Sequence, residues 1–254
     1  GLTGDQQAWM PLLLAVRHNT DDMVRQLVRL GADVNARTPE GRTILHLAVA
    51  EGLPAARIRQ LLAIGADAEA KDAQGRTALM LAFAGGRKID PDCVQALLET
   101  GAALGAVDNA GNNVLHLLLA AATANPDVDG LGFLKTLVQH GADPQARNVA
   151  DRTPLMQAAA AGSLPWVQAL LEANAPPNDS DKEGWTALAL AAGSASEQSR
   201  AIAECLLQHG ADPNGGRGAL APLLLAASQG HGDDVALLLK AGANPNVRDP
   251  AGKY

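Results

Sequence analysis

A chain of 254 residues with 47% hydrophobic content is long enough for one or two globular domains, yet only 2% of its residues are aromatic. The formal net charge of −7 argues against general nucleic-acid binding, which needs clustered cations against phosphate. No apolar run approaches the roughly 20 residues that a membrane-spanning helix requires, and two cysteines, Cys93 and Cys205, indicate neither a disulfide framework nor a zinc site.

Taken in chain order, a short apolar segment alternates with a glycine-led turn. The apolar segments read "PLLLAV" from Pro11, "TILHLAV" from Thr43, "TALMLAF" from Thr77, "NVLHLLL" from Asn113, "TPLMQAA" from Thr153, "TALALAA" from Thr186 and "APLLLAA" from Ala221. The turns read "GADVNA" at Gly31, "GADAEA" at Gly65, "GAALGA" at Gly101, "GADPQA" at Gly141, "NAPPND" at Asn174, "GADPNG" at Gly210 and "GANPNV" at Gly242. Their successive spacings are 34, 36, 40, 33, 36 and 32 residues. A unit that cannot bury its own apolar face must be stacked on neighbours, so sevenfold recurrence marks a repeat array.

The second copy illustrates the unit. Gly41 opens a turn, Thr43 is placed to cap a first helix, and Ile44, Leu45, Leu47 and Ala48 have helical spacing toward the core. A second helix is expected to begin near Pro54, with Ile58, Leu61 and Leu62 as its apolar stripe. Gly65 then ends it in the left-handed conformation, and Asn174, the residue type next most tolerant of that conformation, does so in copy five. The irregular stretches "GGRKIDPD" (85–92), "AAATANPDVDGLG" (120–132) and "GSASEQSR" (193–200) all fall between first and second helices.

"DAQGRTALMLA" (72–82), "DKEGWTALALA" (181–191) and "DDVALLLKAGANPNVRD" (233–249) resemble the ankyrin repeat family. The resemblance implies an all-α solenoid of about seven helix-turn-helix units with protruding turns or β-hairpin loops. The units fall at about 6–37, 38–71, 72–107, 108–147, 148–180, 181–216 and 217–248, with a partial eighth at 249–254, in a single domain over 1–254. Gly1 is not an initiator methionine and "DPAGKY" has the form of an eighth opening turn, so a monomeric piece of a longer chain is expected.

The candidate chemistry is explained position by position. His46 and His116 take the motif histidine place, which the resemblance implies bonds backbone and the capping residue. His140 and His209 precede the glycine ending a second helix, where partial positive charge suits the dipole. His231 also falls at a framework place, and His18 alone is off-pattern. The acid pairs Asp21/Asp22 and Asp233/Asp234 open second helices. "NPDVDG" (125–130) echoes half of a calcium loop, but Thr136 stands where the bidentate Glu belongs. "GGRG" from Gly215 lacks the ending of a phosphate loop. No catalytic residue, metal or cofactor is expected.

The resemblance implies a binding face of turn tips and exposed ends of first helices, concave in the family. The residue before each cap position there is Trp9, Arg42, Arg76, Asn112, Arg152 and Trp185, and the residue before each turn contributes Arg37, Lys71 and Arg147, with Val107 and Ser180 breaking that row. Basic groups bracketed by tryptophans on an acidic protein suit a protein partner with an acidic segment, since Trp and Arg dominate interface hot spots. The expected function is a non-catalytic protein-binding scaffold with no nucleic-acid or membrane partner. The alternative is a recruiting or inhibitory array of a larger protein whose catalytic domain lies elsewhere, such as a secreted bacterial effector. Either places the chain in the cytoplasm, its own or a host's.

Overall fold

The computed structural model describes residues 10–18, 21–84, 89–125, 128–194, 196–216 and 220–248. Among these residues fourteen helices follow one another in pairs, and the one β-element is an isolated bridge between Ser180 and Thr186. The chain divides into two compact units: residues 1–133 with 140–142, and residues 134–139 with 143–254.

In the first unit, first helices α1 (Met10–Arg17), α3 (Ile44–Ala50), α5 (Ala78–Ala84) and α7 (Val114–Ala124) alternate with second helices α2 (Asp21–Arg29), α4 (Ala55–Ala63) and α6 (Pro91–Glu99). The first helices stack in the order α1, α3, α5, α7, each of the first three also packs on its own second helix, and α4 packs on α6. The periodicity dictates this arrangement. Leu12, Leu13 and Val16, then Ile44, Leu45 and Ala48, then Leu115, Leu118 and Leu119 are buried at helical spacing. Of these seven helices only α7 exceeds nine residues, and all are shorter than the roughly 12–15 needed for marginal stability alone, so packing on neighbours is what holds them.

The one exception has a visible cause. The first part of the irregular stretch 120–132 is absorbed into α7, which runs 11 residues to Ala124 instead of ending a turn earlier. Alanine-rich "AAATA" propagates a helix readily. The stretch ends in α8 (Gly130–Gln139), within which the two units divide. Phe133, at its start, meets Phe83 edge to face with centroids 5.7 Å apart.

In the second unit, α9 (Pro154–Ala160), α11 (Ala187–Ala192) and α13 (Pro222–Ser228) stack in turn, backed by α10 (Leu164–Glu172), α12 (Ser199–Gln208) and α14 (Gly232–Lys240). Trp166 is buried in α10, as its place in the repeat requires. Pro54 sits at the N-cap of α4, one residue earlier than the first-turn place expected for it.

Second helices end as the turn residues dictate. Gly65 takes φ +95° and Asn174 takes φ +64°, the left-handed conformation in both copies. At Gly65 an added Cβ meets nothing within 4 Å, whereas at Gly75 (φ +77°) it would lie 2.9 Å from the backbone nitrogen of Asn109 in the next turn. Gly65→Ala therefore carries only the left-handed cost of about 1 kcal/mol. Gly75→Ala adds a collision between stacked turns and is expected to cost at least about 2 kcal/mol, a difference that urea unfolding of the two variants will show. Equal midpoints would mean that the turns part without penalty.

Candidate partner-binding face and the turn network

Each protruding turn is organised by its first residue. Asp72 accepts through Oδ1 from the backbone N–H of Gln74 and Arg76, both at 2.9 Å. Asp108, Asn148 and Asp181 do the same in their own turns. Successive turns are then tied by one backbone bond each: in the first unit Ala73 N–H donates to the Glu40 carbonyl and Asn109 N–H to that of Gln74, both at 2.9 Å, and in the second unit Lys182 N–H donates to Ala150 at 3.1 Å. Each protruding turn is also closed by its own backbone bond, as Asp72 N–H to the Arg76 carbonyl at 2.9 Å and Asp181 N–H to that of Trp185 at 3.0 Å.

The basic row lies on this scaffold and is partly consumed by it. Arg37 donates to the carbonyl of Lys71 (2.6 Å) and Lys71 to that of Val107 (3.0 Å), while in the second unit Arg147 donates to Ser180 (3.2 Å) and pairs with Asp179 (2.6 Å). Each of the three thus reaches the equivalent residue one copy along. Arg76 clamps the fully buried carboxylate of its own Asp72 through Nε at 3.1 Å and Nη2 at 2.9 Å. Arg152 does so across copies, with Nε 3.0 Å from the nearly buried Asp181. Asn112 bonds Asp108. Arg42 differs. Its Nε lies 3.8 Å from Asp72 and makes no hydrogen bond, though its side chain is only 32% exposed.

Burial pushes the Asp72 carboxyl up, but the Arg76 guanidinium and the turn N–H groups outweigh it and hold the group below the ordinary carboxylate value. Exposed Glu40, in the adjacent turn, is held low by the Thr38 hydroxyl, with a smaller contribution from Arg42. Trp185 is half-buried, less open than an exposed indole, and its backbone N–H is fixed by Asp181 at 2.9 Å. Trp9 lies outside the described residues. Beside the row, Ala84, Ala120, Ala160 and Ala161 leave the ends of the first helices exposed and small, while Gly85 is outside the described residues.

His46, His116, His209 and the two cysteines are engaged elsewhere. Thr43 donates its backbone N–H to His46 Nδ1 (3.1 Å), with its hydroxyl 2.9 Å from the same atom, so Nδ1 carries no proton. Nε2 must then carry one to bond the Arg76 carbonyl at 3.0 Å. Burial lowers the His46 pKa against the pull of that carbonyl, and the neutral ring joins one copy's first helix to the next copy's turn. In copy four Asn113 Oδ1 accepts from Leu115 and His116 N–H and lies 2.7 Å from His116 Nδ1. Cys205 Sγ is 3.9 Å from His209 Nδ1, but that nitrogen donates to the Cys205 carbonyl at 2.8 Å and cannot take the thiol proton. Burial also raises both thiols, Cys93 to about 11, away from the reactive thiolate. Asp129, from the calcium-like stretch, receives the Gly132 N–H at the start of α8, and its neighbours Pro126 and Asp127 lie outside the described residues.

Sequence reasoning missed a second set of bridges, on the "GADxN" turns. Asn35 donates through Nδ2 to the Gly65 carbonyl (3.1 Å) and accepts from Asp67 N–H (2.8 Å). Asn178 clamps Gly210 and Asp212 in the same way, and Asn214 clamps Gly242 and Asn244. Where copy two has Glu69 instead, its carboxylate accepts from Ala103 N–H. The signal was in the sequence as a polar residue four places after the turn glycine.

Similarity to known proteins agrees with this geometry. The family model described as "Ankyrin repeats (3 copies)" matches residues 2–58, 55–148 and 117–217, and the single "Ankyrin repeat" model matches residues 220–250. Ankyrin repeat and SOCS box protein 16 of Mus musculus is 31% identical over 99% of this chain and 47% of its own length. Rabankyrin-5 of the same species is 34% identical over 70% of this chain and 14% of its own length. The chain therefore spans less than half the length of these relatives. Cyclin-dependent kinase 4 inhibitor B of Homo sapiens is 40% identical over 39% of this chain and 70% of its own. The crystal structure of the ankyrin repeat domain of Bcl-3 superimposes with a TM-score of 0.73 at 29% identity, covering 91% of this chain and 97% of that one. With seven helix pairs, stacked turns and family models over nearly all its residues, the chain belongs to the ankyrin repeat family.

Proposed function

We propose that this array is a non-catalytic protein-binding module that receives an acidic segment of a partner protein on its turn face. The observation that carries the reading is the placing of two guanidinium groups beside one buried carboxylate, Asp72, which Arg76 bonds at 2.9 Å while Arg42 stands 3.8 Å away without a hydrogen bond. Arg37 and Lys71 stand alongside, so four cations gather on this part of the face of an otherwise acidic chain, with Glu40 and Asp72 among them. Arg37 and Lys71 are held by bonds to neighbouring turns and Arg76 by its own Asp72, so little side-chain entropy remains to be lost by these three on binding. In the second unit Arg147, Arg152 and the half-buried Trp185 offer similar chemistry, and Asn112 and Trp9 complete the set the sequence suggests.

A second reading has its own support. Two of the relatives are longer than this chain, and a third, shorter one bears the name of a kinase inhibitor. An array that recruits substrate for, or inhibits, a catalytic domain outside these residues, in the cytoplasm of its own cell or a host, would use the same face.

The test is affinity capture of partners from the native host, followed by calorimetry with the purified partner. Arg42→Ala is expected to weaken binding about tenfold or more, the scale of a hot-spot arginine, with affinity falling as salt rises. Arg59→Ala, on α4 and paired with Glu99 at 3.4 Å, is expected to leave it intact. The reverse order would move the binding face to the second helices.

A further inference from the structure

Three asparagines make the same clamp, but only one of them precedes glycine. Asn35 is followed by Ala36 and Asn178 by Asp179, whereas Asn214 is followed by Gly215. An Asn-Gly pair is the least hindered setting for attack of a backbone nitrogen on the side-chain amide, because no Cβ shields the incoming nitrogen. Asn214 is exposed and Gly215 half-buried, and Gly215 lines an open hollow with Asp212, Asn178 and Thr186, so water reaches the peptide.

The folded clamp nevertheless holds both reacting groups. The Gly215 N–H is donated to the Asp212 carbonyl at 2.9 Å. The Asn214 amide is fixed by its bonds to the Gly242 carbonyl (3.1 Å) and the Asn244 N–H (2.8 Å), both in copy seven. Reaction requires these bonds to open.

We infer that Asn214 is a spontaneous deamidation site, gated by undocking of copy seven from copy six. The Gly215 nitrogen, its proton lost to solvent base, bonds to Cγ of Asn214. The Cγ–Nδ2 bond breaks and ammonia leaves. Water then opens the cyclic imide at either carbonyl, leaving aspartate or isoaspartate at position 214. The product is a carboxylate where an amide donor was. It faces the Gly242 carbonyl, an acceptor, so the clamp cannot re-form and copy seven stays loosened.

The full chain is to be aged in mildly alkaline buffer, with and without denaturant, and digested for peptide mass mapping. A gain of about 1 Da confined to the peptide holding Asn214, and at least tenfold slower without denaturant, is expected. Equal gain at Asn35 and Asn178, or a native rate matching the denatured one, overturns the proposal. The variant Asn214→Asp separates the consequence from the chemistry. Its amide exchange is expected to rise several-fold in α13 and α14 while α9 and α10 keep their protection. Unchanged exchange in α14 would show that the clamp does not couple the two copies.

Discussion

Leu61→Ala is expected to lower the unfolding free energy by about 2–5 kcal/mol, the range for emptying a buried leucine site. Leu61 has no exposed surface, and it sits on α4, which packs on both α3 and α6. A repeat array has no distant core to compensate, because each copy is held by its own packing and by its immediate neighbours. Urea unfolding followed by far-UV circular dichroism measures the loss. Leu30→Ala is the matched control: that side chain is 85% exposed and its truncation is expected to change stability by less than about 0.5 kcal/mol. A loss at Leu61 no larger than at Leu30 would mean that α4 is not packed as described.

The second large effect is expected at Asp72. Replacing it with alanine removes the acceptor for two turn N–H groups and leaves the Arg76 guanidinium, itself only 21% exposed, without its carboxylate. Loss of one partner from such a pair is strongly destabilising, here about 2–4 kcal/mol because Arg76 retains some access to water. Asp72→Asn keeps the Oδ1 acceptor and loses only the charge, so its cost is expected to fall between wild type and alanine. The pH dependence follows the same chemistry. The folded Asp72 carboxyl is held below its ordinary value, so its contribution is complete at neutral pH and is lost as pH falls below about 4 through the folded value. Asp72→Asn is expected to flatten that acid limb. An unchanged acid limb would assign it to other carboxylates.

His46 adds an earlier acid sensitivity. Its folded pKa is lowered, so stability is full above the ordinary imidazole range and begins to fall as pH drops below about 6.5. The proton it must accept belongs on Nδ1, which the Thr43 N–H already occupies.

The helix pairs were legible in the sequence because each is a local matter. Ile44, Leu45 and Ala48 repeat at 3.6-residue spacing, and they are buried. Gly65 and Asn174 stand where a left-handed residue is required, and both adopt that conformation. The roles of His46 and Trp166 followed from their places in a recurring unit. The length of α7 did not, since the stretch after Leu119 reads equally as helix or loop until Phe133 is seen to return against Phe83.

The face was read from the sequence as a set of places in the repeat, without the bonds made there. Arg37, Lys71 and Arg147 look alike there as free cations, and the stacking register decides that each donates to a carbonyl 33 to 36 residues away. The same register buries Asp72 and Asp181 beside guanidinium groups, leaves Arg42 short of its carboxylate, and brings Asn35, Asn178 and Asn214 onto the following copies. Apolar periodicity fixes which side of a helix is buried, and that was determined by the sequence itself. Which polar atoms meet across copies depends on a few tenths of an ångström in how one turn sits on the next, and that only the packed tertiary structure decides.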